Sequence, residues 1–283
     1  MHLPSISKHK ILKVNGSKAI EINDSLAVES PLEIQLVWTN KGKRIRQSIS
    51  VTMRTPVLDF QLAIGFLFAE GILSSYNDIL QIRYGDNAQT EDLQGNVVVV
   101  ELQTSVKVAI EQLDRHFYTT SSCGVCGKTS IELVQSHMCY YLSPNTPKIA
   151  AKLIHQLPHK LRQQQNLFDD TGGIHAAALF DALGNLLCLC EDVGRHNALD
   201  KLIGKSLQER RLPLKNCIVL VSGRASFELI QKALMAGIPI LAAVGAPSSL
   251  AVELAETYNM TLIGFLRNKQ FNVYTGFERI EVD

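Results

Sequence analysis

The sequence predicts an α/β protein, with a mixed sheet flanked by helices in its second half and a smaller α+β subdomain at its amino-terminal end. Three observations predict it. From about residue 171 onward, short apolar runs alternate with amphipathic helical segments. The first third instead carries strand-like runs interrupted by a single helix. With 46% hydrophobic residues, 19% charged and only 9 prolines in 283 residues, the chain has the apolar material for a packed core. Lys and Arg number 28 against 27 Asp and Glu, a net charge of +1. This balance excludes a general electrostatic footprint for duplex nucleic acid or an anionic membrane, so any anionic ligand must be held locally.

Taken in order, residues 32–37, 45–53 and 97–102 read as strands, with turn-like Asn40-Lys41-Gly42 and Gln94-Gly95-Asn96 between them. Between the second and third strands a helix is expected, capped by Thr55, with Pro56 in its first turn, Leu58, Leu62, Phe66 and Ala69 at helical spacing, and Gly71 as its stop. Its apolar residues face nearly every side, which predicts burial. Arg54, Asp59 and Glu70 are read as structural. The division expected is an α+β subdomain over 1–110, a cysteine loop with connecting helices over 111–170, and the α/β domain over 171–283.

The middle segment holds the first chemically specific pattern, Ser121-Ser122-Cys123-Gly124-Val125-Cys126-Gly127-Lys128. Two glycines make it a flexible loop, and Thr129 with Glu132 forms a capping box opening a helix through Leu133, Val134 and Met138. A helix start carries partial positive charge and Lys128 adds more, so a nearby thiol ionises more readily and becomes the better nucleophile. Half of a structural zinc site is the plain alternative, but a closed site needs four ligands and no second C-x-x-C stands at finger-like spacing. A thioredoxin-like redox pair is another, without the βαβ surroundings that fold requires.

In the second half, residues 174–180 and 186–190 are apolar runs joined by Asp181-Ala182-Leu183-Gly184-Asn185, the pattern of a hairpin. Leu199, Leu202, Ile203 and Leu207 then mark an amphipathic helix, 217–221 a buried strand, and 226–236 a helix ended by Gly237 and Pro239. Strand 240–244, helix 249–258 and strand 260–265 follow. Such alternation implies a largely parallel sheet covered on both faces, with ligands beyond the carboxyl ends of its strands. Cys188 and Cys190, two apart on a strand and flanked by leucines, are read as core residues sharing one face.

The strand-end loops gather the polar residues of this half. They are 191–197, 222–226, 245–249 and 267–270, and the first three lead directly into helices, where backbone N–H groups converge as phosphate groups require. Arg195, Arg224 and Arg267 can clamp phosphates or stack on a base. The plain alternative is that Ser222, Ser226 and Ser249 cap helices and Arg195 pairs with Asp192. No G-x-x-x-x-G-K-[ST] or G-x-G-x-x-G is present. A hairpin followed by alternating helix and strand also matches the zinc nucleoside deaminases, whose signature is H-x-E with a later P-C-x-x-C. After His175 come Ala176 and Ala177, and the downstream pair is C-x-C, so both the base and the metal site of that chemistry are missing.

Five stretches carry a resemblance to a known family: CGVCG (123–127), TGGIHAA (171–177), EDVGRHNALDKLIG (191–204), SGRASFE (222–228) and PSSLAVELA (247–255). In this order they closely resemble the FdhD family of sulfur carriers required for formate dehydrogenase activity, from about residue 30 to the end. The resemblance implies a cytidine-deaminase-like fold without deaminase activity, in a homodimer. It implies a sulfurtransferase-type carrier that accepts persulfide sulfur from a cysteine desulfurase of the IscS type. The sulfur would pass to the molybdenum or tungsten bis-pterin guanine dinucleotide cofactor, bound as substrate with no permanent cofactor or metal, before that cofactor enters formate dehydrogenase. Cys123 stands at the persulfide-bearing position and Cys126 would assist. The family's cofactor-binding stretch maps onto Phe265, Leu266, Arg267, Asn268, Lys269 and Gln270, and Arg195, His196, Ser222 and Arg224 would hold the same ligand.

The rival of another class is a non-catalytic cofactor-binding chaperone with structural cysteines. MHLPSISKHK lacks an apolar leader core, and no run approaches the ~18 apolar residues of a membrane span, so a cytoplasmic protein is expected.

Overall fold

The computed structural model describes residues 4–85, 95–108, 140–267 and 269–282. An antiparallel ribbon comes first, β1 (Ile6–Asn15) with β2 (Lys18–Ala27), closed by a two-residue loop in which Gly16 takes φ 60. No sequence motif had marked it. Next, β3 (Ser30–Asn40) and β4 (Lys43–Arg54) form a hairpin through Lys41 and Gly42, both at positive φ as the tight turn demands. Along β3, Leu32, Ile34, Leu36 and Trp38 are buried and the residues between them are not, the period of a half-buried strand.

Helix α1 (Asp59–Ala69) follows, then β5 (Ile79–Tyr84) and β6 (Val97–Leu102), which complete a four-stranded sheet in the order β4-β3-β6-β5. Helix α1 is buried as expected and Gly71 at φ 71 lies just beyond its end. Its start is corrected: Val57 and Leu58 have positive φ, Leu58 is the N-cap without a side-chain cap bond, and Thr55 is employed elsewhere. Arg54 and Asp59 are structural, joined by two 2.9 Å bonds in the buried interior.

The carboxyl-terminal part begins with β7 (Ile149–Ala150) and the short helices α2 (Ala151–Ile154), α3 (Leu157–Arg162) and α4 (Asn166–Thr171). The predicted hairpin is present as β8 (His175–Asp181) and β9 (Leu186–Asp192). After it come α5 (Arg195–Gln208), β10 (Cys217–Val221), α6 (Phe227–Met235), β11 (Ile240–Ala243), α7 (Ser249–Thr257), β12 (Thr261–Arg267), β13 (Gln270–Thr275) and β14 (Ile280–Glu281). The sheet order is β13-β12-β11-β10-β8-β9. Only β10-β11 and β11-β12 pair parallel; the other three pairings are antiparallel, so the sheet is mixed rather than largely parallel.

Alternation along these strands divides the interior in two. Ala177, Leu179, Val219, Val221 and Leu241 face a core shared with α5, α6 and α7, while Ala178, Phe180, Ile218, Leu220 and Ala242 face one closed by Ile154, Leu157 and Leu161. The first core continues without a break into the four-stranded sheet and α1. Helices α1 and α5 meet backbone to backbone: a Cβ on Gly65 would lie 1.9 Å from the Asp200 carbonyl oxygen, and one on Gly204 would lie 1.9 Å from that of Gln61. The amino-terminal subdomain is thereby packed onto the helix that begins with Arg195.

Candidate functional site

The sheet's directions bring the strand-end loops to one edge. Strands β9, β10, β11 and β12 run the same way, and the antiparallel β8 delivers His175 at its start to that edge. Backbone bonds stitch the loops together: Gly245 N–H donates to Gly223 O at 3.0 Å, Phe265 N–H to Gly245 O at 3.0 Å, and Ser248 N–H to Ala225 O at 3.0 Å. Gly245 allows the close approach, since a Cβ there would sit 3.0 Å from Arg224 Cγ and 3.1 Å from Gly223 O.

At the β9–α5 corner Asp192, fully buried, accepts from Gly194 N–H at 2.8 Å and Asn197 Nδ2 at 3.1 Å, and pairs with Lys201 Nζ at 2.6 Å. Thr55 supplies its N–H to Asp192 at 3.2 Å, its hydroxyl oxygen to Val193 N–H at 3.2 Å and its carbonyl to Lys201 Nζ at 2.8 Å. Asn197 Nδ2 also reaches Met53 O at 2.8 Å. Four residues of the long motif, Asp192, Val193, Asn197 and Lys201, therefore tie the β9–α5 corner to Met53 of β4 and to Thr55 just beyond it. The plain alternative, an Arg195–Asp192 pair, is not formed: Asp192 pairs with Lys201, and Arg195 Nε is buried with no hydrogen-bond partner among the described residues.

Around Arg195 stand two histidines. A Cβ on Gly223 would lie 3.4 Å from His175 Nδ1 and 3.6 Å from Arg195 Cδ, so both side chains approach the Gly223 backbone. Burial, then the Arg195 charge, lowers the His175 pKa. Burial pulls that of His196 down to about 4, against the opposing Glu228 carboxylate 3.6 Å away. His196 is thus a neutral ring at pH 7, hydrogen-bonded to Ser226 Oγ at 3.0 Å. Ser222 Oγ accepts from Ala176 N–H at 2.9 Å, which ties β10 to β8. Of the serines read as caps, Ser226 and Ser249 make no cap bond; Ser248 does, accepting from Ala251 N–H at 3.3 Å. Arg224 is exposed on its loop.

The stretch 265–270 is the β12–β13 connection. Phe265 has φ 53 at a register shift, and Lys269 has φ 58 in the turn. Leu266 is 1% exposed and belongs to the second core, whereas Arg267, Lys269 and Gln270 are exposed, and Asn268 lies outside the described residues. Beside it opens a cavity of about 570 Å³ lined by Leu266, Arg267 and Lys269 on one wall and His155, His159 and Lys160 on the other. His155 packs against Phe271 in a tilted arrangement with ring centroids 4.9 Å apart, and its Nδ1 is buried without a hydrogen-bond partner among the described residues. The sequence reading missed this second wall; the density of basic residues from Lys152 to Arg162 was the available signal. The cysteine loop, with Cys123, Cys126 and the Thr129–Glu132 box, lies outside the described residues. Among the described residues no three His, Cys, Asp or Glu are grouped to hold a metal ion, and no helix is long and apolar enough to cross a membrane.

Fold and site together define an α/β protein that gathers cationic and hydrogen-bonding groups at the carboxyl ends of its strands, the usual ligand position in such sheets. The sequence signature of the FdhD/NarQ family matches residues 27–281, and the chain belongs to that family. It is 48% identical over 276 residues to the protein named sulfur carrier protein FdhD of Mycolicibacterium paratuberculosis, covering 97% of this chain and 98% of that one. The protein of the same name from Saccharolobus solfataricus is 38% identical over 278 residues, covering 97% and 98%. The fold matches a crystal structure from Desulfotalea psychrophila, provisionally described as a formate dehydrogenase accessory protein, with a TM-score of 0.73, 24% identity and coverage of 98% and 100%.

Proposed function

We propose that this protein is a sulfur carrier in formate dehydrogenase maturation, with Cys123 as its persulfide-bearing residue and Cys126 assisting. The observation that carries the reading is the 48% identity, over nearly the whole of both chains, to a protein named for that role, together with an intact CGVCG loop. In the accepting step the Cys123 thiolate attacks the outer sulfur of a cysteine desulfurase persulfide. The donor's S–S bond breaks, its thiolate leaves with the electron pair, and Cys123–S–SH remains.

The acceptor in this reading is the molybdenum or tungsten bis-pterin guanine dinucleotide cofactor, taken as substrate by a homodimeric cytoplasmic protein. Its pyrophosphates suit Arg195, whose buried Nε has no partner among the described residues, together with Arg224 and the loop N–H groups. Neutral His196 would donate or accept a hydrogen bond without adding charge. Arg267, Asn268, Lys269 and Gln270, with Phe265 beside them, would take a second anionic or purine part at the basic cavity, while Leu266 and Ser222 hold the walls. Incubation with a cysteine desulfurase and L-cysteine should add one sulfur atom to Cys123, read by mass spectrometry, and Cys123→Ala should abolish the gain. An undiminished load on that variant would overturn the assignment.

A further inference from the structure

Cys188 and Cys190 lie on β9, the edge strand of the six-stranded sheet, outside every group used above. Two residues apart, they project to the same face, and their sulfurs are 3.9 Å from each other, within S–H···S contact. A register shift between Leu179 and Phe180 breaks the ladder next to Cys188. Both belong to the core, Cys188 7% and Cys190 2% exposed. Their edge strand also borders a cavity of about 430 Å³, whose lining includes both cysteines together with Val57, Leu58, Leu167, Glu191 and Lys205. That volume falls in the range of small-ligand sites.

The chemistry of the pair is unequal. The hydrogen bond from Cys190 lowers the Cys188 pKa against the opposing effect of burial, and Lys205 and Arg211 reinforce the lowering while Glu209 opposes it. Cys190 moves the other way, raised first by that same hydrogen bond and then by burial, so it keeps its proton as donor. Cys217 supplies the internal comparison: it is more exposed than either, has no thiol partner among the described residues, and burial raises its pKa.

We propose that Cys188 and Cys190 form a second sulfur-accepting site, in which Cys188 takes the outer sulfur of a small persulfide, R–S–SH, entering the edge cavity. The Cys188 thiolate attacks that sulfur, the S–S bond of R–S–SH breaks, and R–S⁻ leaves with the electron pair and takes up a proton. Cys188–S–SH forms with no external oxidant or reductant. Cys190 acts as the positioning donor to the sulfur of Cys188 before attack. The site goes beyond the carrier role assigned to the loop and stands on the thiol pair of β9, independently of the loop cysteines.

The test uses the full chain carrying Cys123→Ser and Cys126→Ser, so that its outcome is separate from that of the loop. Glutathione persulfide is the probe, and fragmentation mass spectrometry after alkylation reads sulfur gain at each cysteine. Cys188 should acquire sulfur at least about tenfold faster than Cys217, the ratio expected when one thiol is about half ionised at pH 7 and the other is a few per cent ionised at most. Adding Cys190→Ala should slow Cys188 about tenfold, whereas Cys190→Ser, which restores a hydrogen-bond donor, should hold it within about threefold. Equal rates at Cys188 and Cys217, or a Cys190→Ser variant as slow as Cys190→Ala, would overturn the proposal.

Discussion

Replacing Gly204 by alanine tests the way the amino-terminal subdomain is seated on helix α5. In an ordinary helix interior the change from glycine to alanine stabilises by about 1 kcal/mol, because glycine loses more backbone entropy on folding. At Gly204 the new Cβ would meet the Gln61 carbonyl oxygen at 1.9 Å and the Gly65 nitrogen at 2.8 Å, and both are backbone atoms of α1 that no rotamer change can move. Ordinary contact requires the helices to part by roughly 1.5 Å, given optimal carbon contacts of ~3.5 Å. That parting loosens the packing of Leu62, Leu199, Leu202 and Ile203, all at most 1% exposed. Overpacking costs about 1–3 kcal/mol, and a clash with backbone atoms belongs in the upper part of that range, so after the propensity gain of about 1 kcal/mol the net effect should be a loss of about 1–2 kcal/mol. For a chain of this size that corresponds to roughly 2–8 °C in Tm. Differential scanning calorimetry of Gly204→Ala measures it, with Gly173→Ala, whose Cβ meets only a contact at 3.9 Å, as the near-neutral control. A Tm equal to or above that of the unaltered protein would refute the backbone contact between α1 and α5.

Lys201→Met should cost about 3–5 kcal/mol in denaturant unfolding, because it strands the fully buried Asp192 carboxylate; a loss under about 1 kcal/mol would contradict the corner geometry. His196, lowered from 6.5 to about 4 by burial, binds its proton more readily unfolded than folded. Its contribution is therefore fully present above about pH 6.5 and is lost as pH falls towards 4, so His196→Gln should flatten the acid limb of a Tm-against-pH curve over that window. Glu228, Arg195, Lys232 and His175 also act on this ring and stay in place in both proteins, so an unchanged limb would assign the acid sensitivity elsewhere.

Much of the architecture was legible in residue spacing. The β8–β9 hairpin and the succession of strands and helices after it follow from apolar runs, helical periodicity and glycine stops, which are properties of neighbours in the chain. The β3–β4 turn was legible for the same reason, since Lys41-Gly42 carries its own backbone preference. The start of α1 was misread because Thr55 and Pro56 form a plausible local cap, while the partners that claim Thr55 lie 137 to 146 residues away. The parallel character of the sheet was overstated because strand direction is settled by where a strand pairs, and β8 enters between β9 and β10 antiparallel to both.

The sequence by itself determined the β3–β4 hairpin and the element order from β8 to β12, the near-neutral charge that confines any anion to a local site, and the cysteine loop and strand-end motifs that mark the family. Only the tertiary structure decided which charges are spent and which are free. Asp192 meets Lys201 while Arg195 Nε has no hydrogen-bond partner among the described residues, His155 and Lys160 come opposite Arg267, and the two cysteines, in the core as their leucine-flanked spacing predicts, also border a cavity at the sheet edge. The physical reason is range: backbone preference and periodicity act over a few residues, whereas pairing and cavity formation depend on which distant surfaces the folded chain brings together.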